Sequence, residues 1–244
     1  MGALLQLEQV SKAFKGLQAV LSVTATVAQG EILGLIGPNG AGKTTLFNLI
    51  TGFYRPDSGR IVFKGRDVTR LGTDRRCQYG IARTFQLVRP FPDLTVLQNV
   101  TVGRVYGCEP ARTLSQAKVE ARETLEFVGL AHRAAEHAKH LTLVDRKRLE
   151  LARALATRPT LLLLDELLAG LNPSEVVAEM ELIRRIRDSG VTVIMVEHLV
   201  KAVFGISDRV AVLNAGEKIA EGPPDAVASD PRVIDAYLGQ AGHA

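Results

Sequence analysis

The sequence predicts an α/β fold: a mostly parallel sheet, an antiparallel β part toward the N-terminus, and an inserted helical segment. Three observations predict it. Two near-continuous apolar runs, residues 161–164 and 191–196, flank a helix-patterned stretch at 175–187. Strands that are apolar on both faces belong in a parallel sheet with helices on each side. Residues 4–10 and 20–27 instead alternate apolar with polar, as strands with one wet face do. Between these regions Pro90 and Pro92 break the chain and helix formers then dominate, with Ala117, Ala121, Leu125 and Val128 on one helical face.

In chain order, a glycine turn at Gly30 leads from the second alternating run into a buried strand over 31–36. A glycine-rich stretch, 37–44, separates that strand from an apolar helix around 46–50. The β pattern resumes at 59–63 and turns at Lys64-Gly65. After the prolines, one helix carries the 117–128 stripe, and a second, 147–157, ends before Pro159, which cannot continue it. Asp230-Pro231 supplies the N-cap and first turn of a last helix to residue 238. The expectation is one domain over 1–244, with the core and β part at about 1–90 and 155–244 and the helical part at about 91–154.

At 244 residues, 46% hydrophobic and 23% charged, the composition excludes disordered, collagen-like and coiled-coil classes. A chain of this size buries a sizeable core without disulfide or structural metal. No run approaches the roughly 20 apolar residues that span a bilayer. The first eleven residues lack the basic flank of a secretory signal, so the expectation is cytoplasmic. Thirty Lys and Arg against 26 Asp and Glu give a net charge of +4. The basic clusters at Arg75-Arg76, 146–148 and 184–187 lack interleaved aromatics, which argues for no nucleic-acid partner. A basic face stays compatible with anionic lipid headgroups. Cys77 and Cys108 show no paired spacing and read as ordinary thiols.

The strongest motif is Gly37-Pro38-Asn39-Gly40-Ala41-Gly42-Lys43-Thr44, which fits G-x-x-x-x-G-K followed by Ser or Thr, between a strand and a helix. Its glycines let backbone N–H groups turn inward around phosphate oxygens, and the helix N-terminus adds a favourable dipole. Lys43 is placed to meet the β/γ-phosphates, the Thr44 hydroxyl to ligate Mg²⁺, and Thr45 to continue the phosphate cradle. The second motif is the strand 161–164 ending in Asp165 and Glu166. Adjacent carboxylates on a strand point apart, so Asp165 can reach Mg²⁺ while Glu166 faces an attacking water as general base. Together the motifs predict a nucleoside triphosphatase.

Around them the chain resembles an ATP-binding-cassette (ABC) ATPase over nearly its whole length, which implies a P-loop NTPase core of the RecA-like kind. Gln86, in Arg83-Thr84-Phe85-Gln86, matches the family's glutamine loop, which touches Mg²⁺ and the membrane-facing region. Residues 169–173 match the loop after the catalytic acid, and His198 matches the switch histidine that contacts the γ-phosphate and holds the attacking water. Phe14 lies where family members stack the adenine. Segments 80–86, 94–100, 169–173 and 230–239 resemble the ATPases of branched-chain amino-acid importers.

The resemblance implies ATP hydrolysis coupled to import, with ATP and Mg²⁺ as cofactors. It implies a position on the inner face of the cell membrane and closure of a homo- or heterodimer. It also implies transmembrane permease subunits and, indirectly, a periplasmic or extracellular solute-binding protein. Phe91, Leu94 and Leu97 are expected to help form the groove for a permease helix. A lipid or lipopolysaccharide exporter ATPase would keep the same residues, whereas a soluble GTPase would want an N-K-x-D motif, absent here.

One family segment departs from its pattern. Where L-S-G-G-Q is usual, to cover the partner's γ-phosphate, this chain reads Leu141-Thr142-Leu143-Val144-Asp145. Leu143 and Val144 add Cβ bulk where glycine allows close approach. Asp145 at ~5 Å from a phosphate charge, with an effective dielectric near 20, implies repulsion of about 3 kcal/mol before screening. Either the lid is weakened, or Thr142 and Asp145 form a helix-capping box that the geometry tolerates. Leu167 stands where family members usually place Pro.

Overall fold

The computed structural model of the chain describes residues 2–85 and 90–238. Strands β1 (Ala3–Phe14) and β2 (Leu17–Ala28) pair antiparallel across a turn at Lys15 and Gly16, both at positive φ. β3 (Ile32–Ile36) runs through the glycine-rich loop into α1 (Lys43–Thr51). β4 (Ser58–Phe63) and β5 (Arg66–Asp67) extend the first sheet, before α2 (Thr73–Gln78) and β6 (Ile81–Arg83). The helical segment holds α3 (Val96–Tyr106), α4 (Leu114–Phe127) and α5 (Leu143–Ala156). β7 (Leu161–Asp165), α6 (Pro173–Asp188), β8 (Thr192–Val196), α7 (Val200–Ile206) and β9 (Arg209–Asn214) continue the α/β alternation. β10 (Glu217–Gly222), α8 (Pro224–Ala228) and α9 (Pro231–Leu238) close the chain.

Two sheets result. The first is antiparallel with order β2-β1-β4-β5; the second, β10-β9-β3-β8-β7-β6, is parallel except for its edge strand β10. Strand alternation sorts the second sheet's side chains into two cores. Ile32, Ile36, Leu162, Leu164, Val193 and Met195 face one core with helices α3 to α6, while Leu33, Leu35, Leu161, Leu163, Ile194 and Val196 face the antiparallel sheet. Burial on both faces explains the unbroken apolar runs, and the predicted α/β fold is observed.

The sequence pattern announces neither β6, β9 and β10 nor the short helices α2 and α7, and the six and seven residues of those two helices carry little periodicity of their own. It also began the 147–157 helix too late. Thr142 caps α5 by accepting the Asp145 N–H at 3.2 Å, so residues 143–146 are helical.

What the fold does for function is set by register. Leu35 and Asp165 both pair with Val196, so the C-terminal ends of β3, β8 and β7 lie level along one edge. In open parallel sheets, ligands bind beyond that edge.

Candidate functional site

The loop after β3 is built where side chains would not fit. An added Cβ on Gly37 (φ 152°) would lie 2.1 Å from the Leu213 carbonyl oxygen, and one on Gly42 (φ 100°) 2.3 Å from the Ala19 carbonyl oxygen. Gly42 is the N-cap of α1, so the left-handed turn it permits aims the helix's first N–H groups at the loop's interior. Lys43 is buried, and its Nζ donates to the carbonyls of Gly37 at 2.6 Å and Pro38 at 3.0 Å. Burial lowers its pKa, while the nearby Glu166 and Asp165 carboxylates raise it. Thr44 is exposed at the start of α1 and Thr45 partly so. A cavity of about 380 Å³ opens here, lined among others by Asn39, Gly40, Lys43, Thr44, Glu166 and His198.

The two acids do point apart, and more than the pleat is involved. Asp165 ends β7, buried, with Oδ2 2.6 Å from Arg83 Nη2 and its N–H donating to the Thr84 hydroxyl. Arg83 also donates to Asn48 Oδ1 at 2.5 Å. Glu166 has left the strand: its φ is 53°, its N–H donates to the Val196 carbonyl, and its Oε1 lies 2.8 Å from His198 Nε2. The fold thus brings together a carboxylate and an imidazole 32 positions apart in sequence. Arg83 and Thr84 as partners of Asp165, and Asn48 as the second acceptor for Arg83, lie beyond the sequence motifs, since no local pattern pairs residues 81, 82 and 35 positions apart. The oxygen-only donor set of Thr44 and Asp165 fits a hard divalent cation.

The remaining expected residues fall differently. Phe14 is not among the residues lining the cavity; its ring packs edge-on against Tyr54 at 5.0 Å, and Leu17, Gln18 and Ala19 form the cavity edge instead. Gln86 lies outside the described residues; beside it, the Phe85 N–H donates to Glu150, whose carboxyl burial pushes up to about 7. Thr142 donates its hydroxyl to Asp145 at 2.8 Å, and Asp145 pairs with Arg133 at 3.3 Å. Leu143 is exposed and Val144 partly buried. Of the three apolar residues expected at a docking groove, Leu97 packs on the core and Phe91 lies under the Arg153 guanidinium at 4.8 Å. A groove of about 330 Å³ between the core and the helical segment is lined by Phe53, Phe85, Val102, Tyr106 and others. Among the described residues, no helix is long and apolar enough to cross a membrane.

A phosphate-binding loop opposed by two acids on a parallel sheet, with a helical insertion between them, defines an ATP-binding cassette. The chain belongs to the ABC transporter family, whose model matches residues 20–169, and residues 217–243 match the model described as branched-chain amino acid ATP-binding cassette transporter. It is 42% identical over 241 residues to the high-affinity branched-chain amino acid transport ATP-binding protein LivG of Salmonella typhimurium, covering 93% of this chain and 94% of that protein. Identity to the lipopolysaccharide export ATP-binding protein LptB of Haemophilus influenzae is 36%, covering 98% of each. Among solved structures, the ADP conformation of MJ1267, an ATP-binding cassette of an ABC transporter, matches with TM-score 0.88 and 32% identity over 98% of this chain and 100% of that one. The chain is an ATPase of this family.

Proposed function

We propose that the chain is the ATP-hydrolysing subunit of a membrane importer for branched-chain or related hydrophobic amino acids. The observation that carries this substrate class is the match of residues 217–243 to the branched-chain cassette model, a region outside the shared ATPase match. The triphosphate lies in the cradle of Gly37, Pro38, Asn39, Gly40, Ala41, Gly42, Lys43, Thr44 and Thr45. Lys43 exchanges its two loop carbonyls for phosphate oxygens and steadies the charge that develops there. Glu166 takes the proton of the attacking water, and His198 holds that carboxylate in place. Bound Mg²⁺, held by Thr44, Asp165 and Gln86, would supply neutralisation of phosphate charge. Phe14, half-exposed beside the cavity edge, remains the aromatic to meet the adenine.

Closure requires a second cassette, identical or closely related, whose Thr142, Leu143, Val144 and Asp145 face this chain's ATP. Binding of ATP favours the closed pair, and hydrolysis with phosphate release resets it. The groove lined by Phe53, Phe85 and Tyr106 receives a permease subunit on the cytoplasmic face of the membrane. A periplasmic or extracellular binding protein delivers the solute to that permease. The test is purification of the tagged chain from its own membranes, with Mg-ATP turnover assayed on the complex. Permeases that take up leucine, isoleucine or valine are the expected companions. Recovery with lipopolysaccharide-export permeases would replace this reading with export.

A further inference from the structure

Beyond the proposed roles lie two buried charged side chains, Lys147 and Glu197, that neither motif includes. Lys147, in the second turn of α5, is only 7% exposed and spends its three ammonium protons on one short segment. Its Nζ donates to the carbonyls of Glu166 at 3.2 Å, Leu167 at 2.7 Å and Ala169 at 2.5 Å. From the other side Glu197, 3% exposed and just after β8, accepts the Leu168 N–H at 2.7 Å. Lys147 and Glu197 attract each other, and burial shifts both toward their neutral forms, lowering the lysine and raising the glutamate to about 7.

The clamped segment is the one that needs clamping. Glu166 sits at φ 53°, a conformation that costs a non-glycine residue free energy and persists only where its surroundings over-determine it. Leu167 leaves its own φ free, as a proline would not. The same helix that carries Lys147 begins at Thr142, and the Leu143 side chain comes within 3.5 Å of where a Cβ on Gly170 would stand.

We infer that Lys147, with Glu197, is a positioning residue that holds the strained backbone of Glu166 in its active geometry and ties that geometry to the helix facing the partner's nucleotide. The lysine touches no reacting atom; it acts through three carbonyls. A shift at the N-terminal end of α5, on closure over the partner's ATP, is therefore transmitted to the acid that works on this chain's own ATP. The inference rests on the proposed role of Glu166 and has its own test.

The full chain is compared with Lys147→Met, Lys147→Arg and Glu197→Ala, with Glu166→Gln as control. Measured are kcat and KM for Mg-ATP, binding of a fluorescent ATP analogue, and amide hydrogen exchange over residues 165–171. Lys147→Met and Glu197→Ala are expected to lose about 10- to 100-fold in kcat, with analogue affinity near that of the parent and faster exchange over 165–171. Lys147→Arg, which keeps the donors, recovers most of the loss. Unchanged kcat in Lys147→Met, slow exchange retained at 165–171, or analogue binding lost in step with turnover overturns the inference. Should Lys147→Met fail to fold, Glu197→Ala and the Arg variant decide by the same readouts. If Glu166→Gln hydrolyses ATP like the parent, the role of Glu166 fails instead, and the exchange data still report whether Lys147 holds the segment.

Discussion

Asp145→Gln isolates the charge in the altered lid segment. A carboxylate ~5 Å from a phosphate charge repels it by about 3 kcal/mol at an effective dielectric near 20. The structure adds the opposing term: Arg133 stands 3.3 Å from Asp145, an attraction of about 5 kcal/mol on the same scale before screening. Seen from a partner's nucleotide, the pair is therefore close to neutral. The carboxylate also accepts the Thr142 hydroxyl, and the Asp145 N–H returns to that oxygen, so part of its work is local to α5. Asp145→Gln should then change Mg-ATP turnover of the homodimer less than about threefold, a barrier change under about 1 kcal/mol. It should cost roughly 0.5–1 kcal/mol of stability through the lost ion pair and first-turn charge. Steady-state phosphate release and urea unfolding measure the two. A tenfold rise in turnover would mean that the acid does obstruct the lid and that Arg133 does not shield it. Arg133→Gln is the mirror experiment: it uncovers the carboxylate, and turnover should fall while nucleotide affinity of the isolated monomer holds.

Glu166→Gln should keep ATP binding and lose about 10²- to 10⁴-fold in turnover, the range for a general base; wild-type rates in single-turnover assays would remove it from that role. Gly42→Ala puts a methyl 2.3 Å from the Ala19 carbonyl oxygen at φ 100°. It should cost on the order of 2–4 kcal/mol and abolish ATP binding, and calorimetry showing an unshifted Tm would contradict this. Burial holds the Glu150 carboxyl at about 7 against an ordinary 4.5. Between those values the unfolded chain has already released a proton that the native chain keeps, so stability falls as pH rises. Glu150→Gln keeps an acceptor for the Phe85 N–H and should flatten that fall by about 3 kcal/mol between pH 5 and 8. Parallel stability–pH curves for the two proteins would refute the assignment.

Local physics made much of the fold and half of the site readable from residue order. An apolar strand, a glycine-rich turn and a helix beginning at Lys43 announce a phosphate cradle because each needs only its neighbours: hydrophobic burial, permitted positive φ, and free N–H groups at a helix start. Asn172 and Glu175 likewise specify the start of α6 by a capping box within four residues. Tertiary structure decided the rest, since the forces there act between residues distant in sequence. Parallel pairing on β8 brought Asp165 level with the loop after β3, and pairing on β7 placed β6 at the sheet edge. Burial then chose partners that no spacing encodes. Arg83 settled on Asp165 and Lys147 on the carbonyls beyond it, because a charge withdrawn from water must find its counterpart wherever the packed chain presents one.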